Sequence, residues 1–528
     1  MPVRANPLQP AAEDSSTGCA FSILYPDAGA VPPLPDEDPA YFADLNLDQV
    51  VEELTAGYAE HRLAPFFRHP EQDPAVVGYR QAVLHELDTV PEPSDQVWNF
   101  VAAMRSVRGC LGRARDMHCR YQQQACFLRA AQRYCQGVRQ FGAAVESMRV
   151  TSSGLRSLVD FLTRYRASKA FVSLEQRAGE VDQALAAIRY CVHIKGSRVR
   201  VSGYGDEPDY GAEIRRTFQK FAQEKAAERR TRRSDGLELN HVEMAVLELV
   251  AKLYPEPFAL LERFNSEFAD FVDETISSFD REVHFYLAYL EFIDPLRQAG
   301  LRFCFPVVST SGKEVEAGQT FDIALAHKLT QANKTVVCND LRLHDRERIL
   351  VITGPNQGGK TTMARTFAQV HYLAALGLLV PGSEARVYLF DQLFTHFEHG
   401  ENLGDLRGKL QDDLLRMRSI LDTATDRSIV ILNELFTSTS MADASEMGTE
   451  ILLRMIELGC LCVCVTFIDE LSRLGKATVS MVSVVDPEDP AIRTYQLVRR
   501  PADGHSYAEA IAEKYGLTYD RIKERVLR

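Results

Sequence analysis

The sequence predicts a multidomain protein in which an α-helical N-terminal part precedes an α/β C-terminal part. The chain has 528 residues, a length typical of about two to four domains. No proline occurs from Ser94 to Glu207, and apolar residues there recur at helical spacing, as at Phe127, Tyr134 and Val138. Beyond about residue 300, short β-rich runs alternate with helical segments, which is typical of a mostly parallel sheet flanked by helices.

These textures predict three domains, at residues 1–40, 41–298 and 299–528. The first is an irregular arm, because PDAGAVPPLPDEDP is rich in proline and acidic residues. The second contains long helices, interrupted by the turn-rich break GSRVRVSGYGDEPDYG that begins at Gly196. Its last helix is long and largely buried, with Pro295 near the end. The third begins with the β-rich runs RFCFPVV, TVVCND and RILVITG.

Composition excludes several classes of protein. The net charge of -13 does not point directly to nucleic acid, although a local basic patch is enough to bind it. No run of 18 apolar residues and no apolar leader occur, so we expect a cytoplasmic protein without a membrane partner. Cys460, Cys462 and Cys464 alternate without neighbouring ligands, which favours buried thiols over a zinc site.

The stretch ERILVITGPNQGGKTTMARTF contains the pattern G-x-x-x-x-G-K-[ST], from Gly354 to Thr361. An apolar strand, residues 349–352, precedes the pattern, and a helical segment, residues 362–376, follows it. This context predicts a phosphate-binding loop rather than a chance glycine-rich turn.

The residue types of this loop suit polyphosphate chemistry. Glycines let the backbone approach phosphates and direct N–H groups at them, and the helix that follows adds its positive dipole end. Lys360 is expected to reach the β- and γ-phosphates of ATP, and Thr361 to place its hydroxyl on Mg²⁺. The predicted nucleotide-binding residues are Gly354, Pro355, Asn356, Gln357, Gly358, Gly359, Lys360, Thr361 and Thr362.

A second apolar strand, in SIVILNE, ends in Asn433 and Glu434. In nucleotide hydrolases of this type such a strand end reaches the metal and the attacking water. Glu434 is therefore the candidate catalytic residue that orients or deprotonates water. Asn433 stands where an aspartate is usual, so the predicted metal ligands are Thr361 and Asn433, with Mg²⁺ held more weakly.

Residues 300–520 resemble the MutS-type DNA mismatch repair ATPases of the ABC superfamily. GPNQGGKTT is similar to that family's loop, VVCNDLRL to the segment beside its nucleotide, and NELFTSTSMADA to its DEIGRGTSTxDG segment. The long helices ahead of this region resemble the family's core and lever. The resemblance implies an ATPase domain completed by a second subunit, and hence a homodimer. No Phe-x-Glu occurs in the first hundred residues, so we expect a short, divergent member without the mismatch-reading domain.

Three positions depart from the family pattern. The metal-site aspartate is Asn433, and the family's histidine after the next strand corresponds to Phe467. The family's signature SGRST aligns onto residues 405–409, so that its phosphate-capping serine falls at Gly408. The resemblance therefore implies weakened dimer closure and weakened hydrolysis.

A basic run, EIRRTFQKFAQEKAAERRTRRSDG, spans residues 213–236 and is the candidate DNA contact. The alternative is a solvated helix with ion pairs between successive turns. The candidate residues are Arg215, Arg216, Lys220, Arg229, Arg230, Arg232 and Arg233.

Two functions follow from the sequence. The first is a dimeric, DNA-associated ATPase, related to mismatch repair or recombination, in which ATP-driven closure is coupled to binding of double-stranded or branched DNA. The alternative is an ATP-binding, poorly hydrolysing module whose nucleotide gates contact with a partner protein. An SMC-like ATPase is disfavoured, because only about 70 residues separate the two nucleotide motifs and no long coiled-coil arm fits there.

Overall fold

The computed structural model describes residues 21–196, 198–205, 239–344, 346–398, 408–486, 488, 492–502 and 522–523. The chain divides into two compact units. Unit 1 comprises residues 1–89, 151–155 and 281–528, and unit 2 comprises residues 90–150 and 156–280. No helix within the described ranges has both the length and the apolar character needed to cross a membrane.

The described helices are α1 Leu47–Thr55, α2 Ala64–Phe67, α3 Pro74–Thr89, α4 Pro91–Asp116, α5 Arg120–Glu146, α6 Ser153–Arg166, α7 Lys169–Ala186, α8 His241–Leu253, α9 Pro255–Glu267, α10 Glu274–Gln298, α11 Ile323–Gln331, α12 Lys360–Ala375, α13 Lys409–Thr423 and α14 Met441–Leu458. The strands are β1 Tyr190–Lys195, β2 Arg198–Gly203, β3 Phe303–Cys304, β4 Val307–Ser309, β5 Val315–Thr320, β6 Asn339–Leu343, β7 Ile349–Thr353, β8 Val380–Pro381, β9 Glu384–Tyr388, β10 Leu393–His396, β11 Ile429–Asn433, β12 Leu461–Val465, β13 Thr478–Val485 and β14 Arg493–Arg499.

The prediction of long helices in the proline-free stretch is confirmed, because α4 to α7 occupy most of it. The predicted break after Gly196 is wrong in part. Residues 198–203 form β2, which pairs antiparallel with β1. Val199 and Val201 alternate with Arg198 and Arg200, and this alternation of β-branched and charged residues favours a two-faced strand.

The predicted mostly parallel sheet is confirmed in unit 1. Six strands lie in the order β10-β11-β12-β7-β13-β14, and each neighbouring pair is parallel except β13–β14. β7 and β12 are buried along their whole length, as expected of central strands covered on both faces. The carboxyl ends of β7 and β11 therefore meet at one edge of the sheet.

A second sheet of unit 1 has the strand order β4-β9-β5-β6. The sequence predicted a β-rich run from Thr335 to Asp340, and only its end is a strand, because β6 begins at Asn339. The residues before Asn339 line a cavity instead, among them Val336 and Val337.

The cysteine prediction is confirmed. Cys460, Cys462 and Cys464 are buried, and they belong to a hydrophobic cluster that also contains Val351 and Leu432. Burial raises the pKa of all three thiols, so they remain neutral packing groups at physiological pH.

Residues 21–25, inside the predicted N-terminal arm, are buried although they form no helix or strand. The Glu282 carboxylate accepts hydrogen bonds from Ser22 Oγ at 2.8 Å and from the Ile23 backbone N–H at 2.9 Å. Tyr286 Oη donates to the Ile23 carbonyl at 2.7 Å. Residues 1–20 of the predicted arm lie outside the described part of the chain, and the predicted domain boundaries stay a prediction.

Candidate functional site

The glycine loop, residues 354–359, joins the central strand β7 to the first turn of α12. Its backbone is left-handed at Gly354, Gln357 and Gly359, with φ values of 119°, 60° and 90°. Glycine adopts this conformation without a steric penalty, whereas Gln357 does so at a cost. The backbone of the loop is therefore tightly wrapped between β7 and α12.

Ser483, on β13, packs against the glycine loop and bonds to it. Its Oγ donates to the Gly358 carbonyl at 2.6 Å, and both atoms are buried. A Cβ added at Gly354 would lie 3.1 Å from Ser483, and one added at Gly358 would lie under 3.0 Å from Ser483 Oγ. Two glycines are thus required here because the loop packs directly on β13.

Lys360, the first residue of α12, folds its side chain back over the glycine loop. Its Nζ donates to the carbonyls of Gly354 at 2.9 Å and Pro355 at 3.2 Å, and to Asn356 Oδ1 at 3.4 Å. The ammonium also lies 4.1 Å from the ring centroid of Phe467, a cation–π contact. The residue that replaces the family's histidine therefore contacts the site through its ring face.

The charge of Lys360 is set by three effects. Burial lowers the pKa of the Lys360 ammonium from its ordinary value of 10.5, the Glu434 carboxylate raises it and Arg493 lowers it, which gives a pKa of about 8. The side chain remains mostly cationic at pH 7.

Thr361 and Asn433, the two predicted metal ligands, contact each other at the sheet edge. Thr361 Oγ1, on α12, donates to Asn433 Oδ1, at the end of β11, over 2.9 Å. The hydroxyl and amide oxygens fit a magnesium ion in ligand type, because Mg²⁺ prefers oxygen. The charge of these two groups does not suit Mg²⁺, because neither group is anionic and Mg²⁺ is normally held by one or two carboxylates.

Glu434 follows β11 directly, and its backbone N–H donates to the Val465 carbonyl at 2.9 Å. Its φ is 57°, and Phe436 has the same value. Left-handed backbone at two non-glycine residues is uncommon and costs about 1–3 kcal/mol each. The turn is stabilised by Phe436, which is buried in the hydrophobic cluster beneath.

Arg493 is a site residue that the sequence analysis missed. It begins β14, and its Nε donates to the Asn356 carbonyl at 3.1 Å. No motif surrounds it in the sequence. The antiparallel pairing of β14 with β13, in which Arg493 lies opposite Val485, brings it to the loop.

A cavity of about 410 Å³ adjoins the glycine loop at Gly359. Its lining is mainly apolar and includes Phe321, Leu325, Met363 and Leu497. Thr362, predicted to bind nucleotide, also lines it. The cavity has the apolar character expected of a pocket for a flat heteroaromatic ring.

Asn339 joins one wall of this cavity to β14. Its Nδ2 donates to the Tyr495 carbonyl at 3.1 Å, and its Oδ1 accepts from the Leu497 N–H at 2.7 Å. Asn339 belongs to the VVCNDLRL segment. That resemblance was the signal in the sequence for this part of the site.

Of the segment aligned with the family signature, residues 405–407 lie outside the described residues. Gly408 immediately precedes α13, and the Lys409 ammonium pairs with the Glu398 carboxylate. Glu398 also accepts a hydrogen bond from Thr437 Oγ1 at 3.3 Å. The candidate DNA residues Arg215, Arg216, Lys220, Arg229, Arg230, Arg232 and Arg233 lie outside the described residues as well.

In unit 2, the β1–β2 hairpin presents a basic face that the sequence analysis did not recognise. The cross-strand pairs His193–Arg200 and Lys195–Arg198 lie on this face, and all four residues are exposed. Lys195 and Arg198 are like charges directly opposite each other in the hairpin, which is destabilising. Such an arrangement is favourable where polyanions neutralise it.

Comparison with known proteins shows that the C-terminal part of the chain is similar to one family. The family model described as MutS domain V matches residues 350–524. The chain is 32% identical over 200 residues, 37% of its length, to the DNA mismatch repair protein MutS of Erythrobacter litoralis strain HTCC2594, and it covers 23% of that protein. It is 26% identical over 300 residues, 54% of its length, to the protein of the same name from Ruminiclostridium cellulolyticum, of which it covers 33%. The chain thus spans a third or less of these curated relatives.

Proposed function

We propose that this chain, which residues 350–524 place in the MutS family, is an ATP-binding protein and a slow, DNA-associated ATPase. In this proposal nucleotide binding drives closure of a homodimer, and closure is coupled to double-stranded or branched DNA, in mismatch repair or recombination. The curated relatives named above are DNA mismatch repair proteins, which supports the DNA-repair part of the proposal.

One observation carries the nucleotide part. The glycine loop, Lys360, the Thr361–Asn433 pair and Glu434 lie at one edge of the sheet, joined by contacts of 2.9 Å between Lys360 Nζ and the loop and between Thr361 and Asn433. Lys360 and the N–H groups of the loop would bind phosphate. Glu434 would hold the attacking water or accept its proton.

Thr361 and Asn433 are the residues that would hold Mg²⁺, Asn433 through a metal-bound water. When bound, the ion would neutralise phosphate charge. The apolar cavity beside Gly359 would take the base.

The alternative function is an ATP-gated module for a protein partner, with little hydrolysis. Asn433, Phe467 and Gly408 favour it, because a neutral amide, an aromatic ring and a glycine stand where the family has charged or polar groups. The retained Glu434 favours the ATPase.

Single-turnover hydrolysis with Mg²⁺ separates the two. We expect wild type to cleave bound ATP and Glu434→Gln to retain it uncleaved. Glu450→Gln, an exposed site on α14, is the matched control and should behave as wild type. If ATP binds to wild type and stays intact, the ATPase is refuted and the gated module is supported.

DNA coupling is tested separately, by salt-dependent binding to linear and branched duplexes. Each phosphate contact adds about 0.9 to the slope of log K against log salt. Arg198→Gln and Arg200→Gln, on the hairpin, should each lower that slope by about one unit. Unchanged slopes would leave the candidate residues between 215 and 233 to carry the contact.

A further inference from the structure

The metal position of this site lacks the negative charge that a magnesium ion normally requires. Asn433 is neutral, and its Oδ1 accepts the Thr361 hydroxyl at 2.9 Å. An amide oxygen at this position attracts Mg²⁺ much less than a carboxylate does. The neutral amide also does not repel the phosphates of a nucleotide, whereas an aspartate carboxylate would repel them.

The same site carries a second cation. Arg493 Nε donates to the carbonyl of Asn356 at 3.1 Å, and Lys360 Nζ lies 3.4 Å from Oδ1 of the same residue. A lysine and an arginine therefore contact one loop residue from the α12 side and the β14 side. Arginine suits phosphate because its planar, delocalised charge offers several N–H donors.

The position of Arg493 is held by the sheet. Arg493 lies opposite Val485 in the β13–β14 pair, and the next residue, Thr494, donates through Oγ1 to the Val484 carbonyl at 2.5 Å. Ser483, on the same strand β13, bonds to Gly358. The strand that supports the loop thus also positions the arginine against it.

We propose that Arg493 is a phosphate-binding residue, and that Lys360 and Arg493 together offset enough of the phosphate charge for nucleotide to bind with little dependence on Mg²⁺. This inference rests on the proposed nucleotide-binding function. The side chains named here sum to one net positive charge, from Lys360, Arg493 and Glu434. An aspartate at 433 would reduce that sum to zero, and binding of the phosphates would then depend more strongly on a divalent cation.

The test is calorimetric titration of the full chain with ATP and with ADP, in Mg²⁺ and in EDTA. We expect removal of Mg²⁺ to weaken binding by wild type by less than about threefold. Arg493→Gln should weaken binding in EDTA by about tenfold, the loss of one charged hydrogen bond, and less in Mg²⁺. Arg493→Lys should recover much of that loss. Arg454→Gln, an exposed arginine on α14, is the matched control.

Asn433→Asp, nearly isosteric, tests the charge argument in the opposite direction. It should bind nucleotide about tenfold more weakly than wild type in EDTA and recover in Mg²⁺. The inference is overturned if EDTA abolishes binding by wild type, or if Arg493→Gln equals Arg454→Gln in EDTA while its circular dichroism is native. If wild type binds neither nucleotide in either buffer, the proposed function itself fails.

Discussion

A single methyl group at Gly358 should test how tightly the glycine loop packs on β13. The φ of Gly358 lies outside the left-handed region, so alanine is allowed there by its backbone. Its Cβ would nevertheless lie under 3.0 Å from Ser483 Oγ, 3.0 Å from the Pro355 carbonyl oxygen and 3.1 Å from Ser483 Cβ. The first contact is an overlap of the kind that costs about 1–3 kcal/mol in a packed site.

Ser483→Ala removes the overlapping oxygen, but it also removes the 2.6 Å hydrogen bond to the Gly358 carbonyl. Alone it should cost about 1–3 kcal/mol, because a buried carbonyl loses its partner. In the double variant the overlap is gone and only the contacts at 3.0 and 3.1 Å remain, which small shifts relieve. The double variant should therefore be more stable than the sum of the two changes by about 1–2 kcal/mol.

Hydrogen exchange of the peptides covering β7 and α12 measures this locally, so that unfolding of unit 2 does not contribute. ATP affinity of each variant gives a second readout. Gly57→Ala is the matched control, because a Cβ there meets nothing within 4 Å. Additivity of the two single changes within about 0.5 kcal/mol would refute the steric argument.

Three further predictions concern the core of unit 1. Burial lowers the pKa of His371 to about 4, and its Nδ1–H donates to the Phe367 carbonyl at 2.7 Å. The unfolded chain therefore takes up the proton first, so the free energy of unfolding should fall by about 1.4 kcal/mol per pH unit from pH 6.5 towards 4. His371→Gln should flatten that slope in urea titrations, and an unchanged slope would contradict it. Arg80→Met should lower the free energy of unfolding by about 3–5 kcal/mol, because it leaves the buried Glu71 carboxylate without its cation. Adding Glu71→Gln to that variant should recover part of the loss. Equal urea midpoints for wild type and Arg80→Met would contradict this. Gly377→Ala should lower Tm, because the φ of Gly377 is 76° and the new Cβ would lie 2.6 Å from Arg80 Cβ. An unchanged Tm would contradict this and show that the turn relaxes.

The candidate site divides into a part that sequence reasoning found and a part that it missed. The glycine loop, Lys360 and Thr361 are consecutive, so a local pattern identifies them. Asn433 is 72 residues from Thr361, yet their contact was predictable, because parallel strands align their carboxyl ends at one edge. Arg493 had no such signal, because a strand's antiparallel return to the sheet depends on pairing that no local pattern encodes.

The fold divides in the same manner. The proline-free stretch was sufficient to predict α4 to α7, because helical hydrogen bonds are local and apolar periodicity marks the buried face. The β1–β2 hairpin was interpreted as a break, because Gly196 and the residues near it are typical turn formers. The Val336–Val337 run has strand-like composition, but these residues line the cavity beside α12 and pair with no strand in the described part of the chain.

The sequence by itself determined the order of the helical and α/β parts, the G-x-x-x-x-G-K-[ST] pattern and the neutral Asn433 at the end of β11. Each of these is written in residues that are adjacent or regularly spaced along the chain. The tertiary structure alone decided that Ser483 supports the loop, that Phe467 covers Lys360 and that Arg493 meets Asn356. These contacts join residues more than 100 positions apart, so they arise only when β7, β12, β13 and β14 pair to form the sheet.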